Sequence, residues 1–294
     1  MEEVKLLAPA KINLFLRLKG LLQGGYHEIE TVFQSVSLFD RVVITLLKGS
    51  PGGIDVVTEG ADIPKEKNIA YKAASAFLAT YGASGGIRIN ISKSIPVGAG
   101  LGGGSSDAAA VLLGLNRLLG INAPIESLSG VAEGLGADVP YFLYGGLCAG
   151  YGRGDRIKKL KDTFKCRILI IYPDILTLTE KVYGESDKLE LTFKGADIKI
   201  FSDYLAVNDL NKIASAMRND LEQAVIRLHP GIGSLLGELK QSRALSAMVT
   251  GSGSAVYGIY ADDGDAAGDF ACFKGRYKSC FLVDAISGGF GRFF

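Results

Sequence analysis

The chain has few of the residues that build metal centres and disulfide frameworks: 2 His and 4 Cys in 294 residues. A histidine-based metal site is therefore not expected. Cys148, Cys166, Cys272 and Cys280 lack the spacing of a zinc motif, and a chain this long buries enough apolar surface to hold its shape without disulfides. Reduced, partly buried thiols are expected. An excess of one charge is also missing, with 32 Lys plus Arg against 31 Asp plus Glu, so nothing points to nucleic acid or an anionic membrane as the main partner. A small molecule is the expected partner. Long apolar runs are absent too, because a stretch such as ILIIY at 168–172 is far too short to span a bilayer. The opening MEEVKLLAPAKINL has the character of neither a signal peptide nor an Arg-rich transit peptide. Together these features place the chain in the cytoplasm as an expectation. Repeats and low-complexity segments are absent as well.

What is present alternates between strand and helix patterns. KINLFLRL at 11–18 puts Ile12, Leu14, Leu16 and Leu18 on one face and Lys11, Asn13, Phe15 and Arg17 on the other. Further strand-like runs follow at ETVFQSVSLF, RVVITLL, GGIDVV and GIRINI, bounded by Gly, Pro, Asp or Lys. NIAYKAASAFLATYG reads as a helix ended by Gly82. Ala108, Val111, Leu112, Leu115, Leu118 and Leu119 keep helical spacing up to a stop at Gly120. Polar, Gly-rich GYGRGDRIKKLKDT precedes the apolar run CRILIIYP, which sets a domain boundary near 160, between segments 1–160 and 161–294. Both halves read as α+β.

Between Pro96 and that helical pattern lies the segment with most chemical content. The seven residues Gly98–Gly104 include five glycines, so backbone N–H groups can approach a ligand with no Cβ in the way. Ser105, Ser106 and Asp107 then open a helix whose unpaired N–H groups and dipole favour an anion. A tight turn with Ser105 as helix cap is the plainer alternative; five glycines before the helix favour phosphate. A Walker A loop is excluded, since no Gly-Lys pair occurs in the chain. Gly98, Gly100 and Gly103 do satisfy the dinucleotide pattern G-x-G-x-x-G. Its context is missing: Lys93, Ser94, Ile95 and Pro96 separate the glycines from the preceding strand, and the only nearby acid downstream is Glu126, in a loop-like stretch.

PVGAGLGGGSSDAA at 96–109 closely resembles the phosphate-binding motif of the GHMP kinases. APAKINLFL at 8–16, GYHEIETVFQSVSLFD at 25–40 and GLGADVPYFLYGG at 134–146 narrow the resemblance to the diphosphocytidyl-methylerythritol kinases. Homoserine, mevalonate and galactose kinases share the glycine loop but not this set. YPDILTLTEKVY at 172–183, RNDLE at 218–222 and VTGSGSAVYGIY at 249–260 carry the likeness through the second half. The resemblance implies an α+β GHMP kinase fold of two domains, 1–160 and 161–294, with the active site in the cleft between them. It also implies transfer of the ATP γ-phosphoryl group to the 2-hydroxyl of 4-diphosphocytidyl-2-C-methyl-D-erythritol, on the non-mevalonate route to isoprenoids.

By the same resemblance, Asp138 is the catalytic base and Lys11 the neighbour that keeps it ionised. Without the resemblance Asp138 reads as a helix cap before Pro140 and Lys11 as a solvated strand lysine. ATP would lie on Pro96, Gly98, Gly100, Leu101, Gly102, Gly103, Gly104, Ser105 and Ser106, with Asn68 and Lys93 near the adenosine. The alternatives for those two are a helix cap and a solvated lysine. Asn13 would meet the substrate diol or diphosphate. Tyr26 and His27 would grip the cytosine ring, with Thr179 and Tyr183 covering it from the second half. Tyr183 stands where the family often has Phe, which keeps the stacking face. Gly251 and Ser252 would pack beside the phosphates. Mg²⁺ is expected with ATP, keeping several waters, with a Ser105 or Ser106 hydroxyl near it. ADDGDAAGD at 261–269 reads as a solvated acidic loop. A kinase of another alcohol and a silent nucleotide-binding sensor remain as rival readings, with a dinucleotide oxidoreductase more distant.

Overall fold

Residues 2–47, 52–83, 85–189, 197–288 and 290–292 are described by the computed structural model. The alternating run at the start becomes the long strand β1 (Glu2–Leu21), antiparallel to β2 (His27–Leu47). The two runs ETVFQSVSLF and RVVITLL, expected as separate strands broken at Asp40, are one strand. Asp40 does not interrupt it because its buried carboxylate finds partners, described below. The outer part of this sheet is β4 (Gly86–Ser92), antiparallel to β2, and β3 (Gly53–Glu59), parallel to β4. At its other end β2 pairs with β5 (Leu147–Gly152), which pairs with β6 (Arg156–Lys159).

A second, four-stranded antiparallel sheet combines β7 (Arg167–Tyr172), β9 (Ser246–Val249), β10 (Val256–Tyr260) and β11 (Ser279–Asp284) in the order β11-β7-β10-β9. Two short segments of the second half return to the first sheet. β8 (Arg218–Asn219) runs parallel to β1, and β12 (Gly291–Arg292) antiparallel to it.

Helices α1 (Ile69–Tyr81), α2 (Gly103–Leu118), α3 (Ile125–Glu133) and α4 (Val139–Tyr144) belong to the first half. α1 begins where the sequence signals it, with Asn68 Oδ1 accepting from Ala70 N at 2.9 Å, and ends at Gly82 with φ 62°. Gly120, with φ 63°, likewise follows the end of α2. Alanines Ala73, Ala74, Ala108, Ala109 and Ala110 are all fully buried, which lets α1 and α2 share one core with Ile44, Ile89 and Phe77.

The second half contributes α5 (Thr179–Ser186), α6 (Ile198–Ala206), α7 (Leu210–Ala216), α8 (Glu222–Leu228), α9 (Pro230–Lys240) and α10 (Asp263–Lys274). Here one sequence expectation fails. The acidic 261–269 stretch is the start of α10 and not a solvated loop: Asp262 Oδ1 caps Gly264 N and Asp265 N, and Asp263 and Asp265 complement the helix dipole.

The alternation in β1 also needs a correction. A register shift between Asn13 and Phe15 puts Leu14 and its neighbour Phe15 into the same core cluster, together with Ile170, Tyr257 and Phe201 from the second half. Both faces of β1 are therefore buried in its middle. Lys11 and Asn13 lie inside the protein and not on a solvated surface.

Candidate active site

A cleft of about 1240 Å³ opens over β1, the glycine loop, the Asp138 turn and the loops of the second half. Its floor is set by the glycine loop. Gly98, Gly100 and Gly102 all have positive φ, and α2 starts at Gly103 with no side chain capping it, so its first N–H groups are left for a ligand. The alternative in which Ser105 caps the helix is thereby removed. Gly100 is required by contact as well as by φ: a Cβ there would collide with the carbonyl oxygens of Thr250 and Gly253. Two backbone bonds pin the loop, Lys11 N to Leu101 O at 3.0 Å and Ala255 N to Ala99 O at 3.0 Å. Leu101 itself is buried, and its side chain anchors the loop in the core.

Above the loop, Lys11 Nζ lies 3.4 Å from Asp138 Oδ2. Asp138 precedes α4, but its carboxylate makes no capping hydrogen bond, so it is free to serve the cleft. Lys11 is 3% exposed, which rules out the solvated-lysine alternative. Its ammonium donates to Asn13 Oδ1 at 2.7 Å. Asn13 is itself held on every side. Its amide Nδ2 donates to Thr31 Oγ1 at 2.8 Å, its backbone N–H donates to Thr250 Oγ1 at 3.1 Å, and Tyr257 OH donates to its carbonyl at 2.7 Å. Gly251 closes over the pair, since a Cβ there would stand 3.2 Å from Asn13 Oδ1 and 3.3 Å from Lys11 Nζ. Asn219 fixes that turn by donating from Nδ2 to the carbonyls of Val249 and Gly251, both at 2.8 Å.

The far end of the cleft is aromatic. His27 and Tyr183 have ring centroids 4.8 Å apart, and His27 Nε2 is 2.6 Å from Asp187 Oδ1. Tyr26 is 59% exposed, with the Arg153 guanidinium 5.2 Å from its ring centroid. Thr179 and Ser252 share a hydroxyl hydrogen bond of 2.9 Å at the rim. Burial pushes the Tyr183 hydroxyl well above its ordinary value, with the Asp138 charge adding to the effect. That phenol stays neutral at physiological pH.

Asn68 and Lys93 both line the cleft, yet each already has protein partners. Asn68 caps α1 and donates to Thr58 Oγ1 at 3.0 Å. Lys93 is no solvated lysine: its ammonium pairs with Asp40 and, at 2.7 Å, with Asp107 Oδ2, all three side chains at most 5% exposed. Burial alone would depress Lys93, but the two carboxylates outweigh it and leave the group raised. Asp107 is pushed up to about 7, chiefly by burial, with Lys93 opposing.

For a metal the donors are sparse. Among the described residues no group of three His, Cys, Asp or Glu side chains could hold an ion. Ser106 Oγ is buried without a hydrogen-bond partner, behind the half-buried Ser105 that lines the cleft. These oxygens fit a hydrated ion brought by a polyphosphate and not a protein-built cage.

Sequence reasoning missed Asp40, Thr31, Thr250, Tyr257, Asn219, Arg153 and Asp187. Asp40 and Asn219 lie inside segments that carry the resemblance, but nothing local marks them as partners of the loop or of the 250–253 turn.

Known proteins resemble this chain over nearly its whole length. The GHMP kinases N terminal domain matches residues 68–146 and the GHMP kinases C terminal domain residues 201–278. A 4-diphosphocytidyl-2-C-methyl-D-erythritol kinase of Syntrophomonas wolfei is 39% identical over 279 residues, 95% of this chain and 96% of that protein. One of Lachnospira eligens is 36% identical over 98% of this chain and 100% of that protein. A crystal structure of 4-(cytidine 5'-diphospho)-2C-methyl-D-erythritol kinase superposes with TM-score 0.80 at 30% identity, covering 96% of this chain and 100% of that one. Homoserine kinase from Cytophaga hutchinsonii, at 19% identity and TM-score 0.73 over 100% of this chain and 98% of its own, shares the fold. The chain belongs to the 4-diphosphocytidyl-2-C-methyl-D-erythritol kinase family of the GHMP kinases.

Proposed function

We propose that this chain transfers the γ-phosphoryl group of ATP to the 2-hydroxyl of 4-diphosphocytidyl-2-C-methyl-D-erythritol, in the methylerythritol phosphate route to isoprenoids. The observation that carries the reading is the buried Lys11 ammonium, 3.4 Å from the uncapped Asp138 carboxylate, beside the glycine loop. In this reading ATP lies with its phosphates on the N–H groups of 98–106 and its adenosine toward Asn68 and Lys93. Asp138 accepts the proton of the substrate hydroxyl as that oxygen bonds to the γ-phosphorus, and the bond from phosphorus to the ADP oxygen breaks. Lys11 offsets negative charge on the attacking oxygen and on Asp138, and Asn13 fixes where its ammonium points. Catalysis is then mostly positioning and electrostatics.

Mg²⁺, when bound, neutralises phosphate charge; the Ser106 hydroxyl, with Ser105 beside it, is the protein oxygen we assign to it. Tyr26, His27, Thr179 and Tyr183 hold the cytidine, and Gly251 and Ser252 close the turn beside the phosphates. The division into an ATP-binding segment 1–160 and a second segment 161–294 belongs to the same proposal, as does a cytoplasmic location. Among the described residues no helix is long and apolar enough to cross a membrane.

The test is ADP release with Mg-ATP, with and without the cytidine substrate, using homoserine and mevalonate as controls. Release only with the cytidine substrate supports the proposal. Release only with a control keeps the kinase and discards the substrate.

A further inference from the structure

Asp40 lies in the middle of β2, opposite Ala8 and beside the irregular register at Pro9 and Ala10. It is completely buried, yet none of its partners belongs to its own strand pair. Oδ1 accepts two backbone N–H groups, Ser94 at 2.6 Å and Ile95 at 2.9 Å, and Oδ2 accepts the Lys93 ammonium. Three consecutive residues, 93–95, are thus tied to one carboxylate. They form the lead-in to the glycine loop.

The same ammonium reaches the other end of that loop. Lys93 Nζ donates to Asp107 Oδ2 at 2.7 Å, and Asp107 lies in the second turn of α2, just past the loop. Entry and exit are therefore held to each other through a single cation, which sits 3.2 Å from where a Cβ on Gly103 would stand. Loss of one carboxylate would leave charges and donors unsatisfied in a dry site, where such groups are most costly. Charge-assisted bonds of this kind are short and directional, so they fix position as well as adding energy.

We propose that Asp40 is a positioning residue for ATP: by holding Lys93, Ser94 and Ile95, and Asp107 through Lys93, it sets the spacing of the two ends of the phosphate loop. Asp40 touches no substrate; it acts through the loop. This rests on the reading of 98–106 as the ATP site, and it adds a residue to which the resemblance gives no role.

Asp40→Asn keeps the shape but turns an N–H₂ toward the Lys93 ammonium. The expected result is a KM for ATP raised about tenfold or more, the loss of one charge-assisted bond, with kcat at saturating ATP and KM for the cytidine substrate near the natural values. A residue that served only folding would lower the melting temperature and the active fraction while leaving both KM values in place. Because the single variant sets an amide N–H₂ against the Lys93 ammonium, which then keeps only Asp107, Asp40→Asn/Lys93→Met is measured beside it. Lys93→Met removes that clash but leaves the buried Asp107 carboxylate without its cation, so the double variant stays destabilised and its KM for ATP stays raised. Kd for ADP by calorimetry is read in all three proteins. Natural ADP binding without turnover of the cytidine substrate would remove the substrate assignment and still leave a raised Kd in the variants as support for Asp40. Unchanged KM for ATP and Kd for ADP in both variants, or no ADP binding by the natural protein, overturns the inference.

Discussion

Lys11 and Asp138 face each other across 3.4 Å, the lysine 4% and the aspartate 34% exposed at the side chain. The cation is dry and fixed while the carboxylate is open to substrate. Asp138→Asn keeps the shape but cannot accept the proton. It should lower kcat by about 10²- to 10⁴-fold with both KM values little changed. Steady-state kinetics against both substrates checks this, and near-natural kcat would remove Asp138 as the base.

Thr250 stands 237 positions from Asn13 in the chain but accepts its backbone N–H. Thr250→Val leaves that buried donor unpaired, at a cost of about 1–3 kcal/mol in stability. It should also lower kcat by loosening the aim of Lys11. Urea melts and kcat are read together. A stability loss with unchanged kcat would show that Asn13 does not depend on this contact for orientation.

The ring of Tyr183 packs on His27 at 4.8 Å and lines the cleft. Stacking on a base is worth about 1–3 kcal/mol, so Tyr183→Ala should raise KM for the cytidine substrate about tenfold or more. Tyr183→Phe should stay near natural, because the ring face remains. An unchanged KM in the alanine variant would take Tyr183 out of the substrate site.

Asp107 gives a pH dependence whose sign can be worked out. Its carboxyl is raised from 3.8 to about 7 in the folded protein, mainly by burial. Unfolded chains lose this proton near pH 4 and the folded chain keeps it until about pH 7. Its contribution to stability is therefore largest below the ordinary value and falls as pH rises through that window. Asp107→Asn should remove this downward trend, seen as a smaller drop in unfolding free energy between pH 5 and 8 than in the natural protein. Parallel curves for the two proteins would show that Asp107 does not titrate there.

The four thiols differ in reach. Cys272 is exposed, while Cys148 and Cys280 are buried and pushed up to about 12 and about 11, in both cases chiefly by burial. A thiol reagent at neutral pH should modify Cys272 rapidly and Cys148 and Cys280 only after denaturation. Peptide mapping after brief labelling identifies the site; early label on Cys148 would contradict the burial.

Where neighbours along the chain decide the outcome, the structure follows the sequence. Asn68 and Gly82 bound α1 as their cap and left-handed preferences require, and Gly98, Gly100 and Gly102 before α2 leave its N-terminus open. The motif residues Lys11, Asp138, Tyr183 and Gly251 line a single cleft. Asp40 reads locally as a strand breaker, and that reading fails because residues 93–95, far along the chain, satisfy its carboxylate; ADDGDAAGD reads as a loop, and that reading fails on a local signal, the Asp262 cap on Gly264 and Asp265. By itself the sequence determined the periodicities, the turns and the family motifs, since these depend on a few adjacent residues. Only the tertiary structure decided that β1 is buried on both faces, that Asn13 is held by Thr250 and Tyr257, and that Lys93 serves two carboxylates. Those choices depend on which distant groups share a water-free interior, where every charge and donor must find a partner.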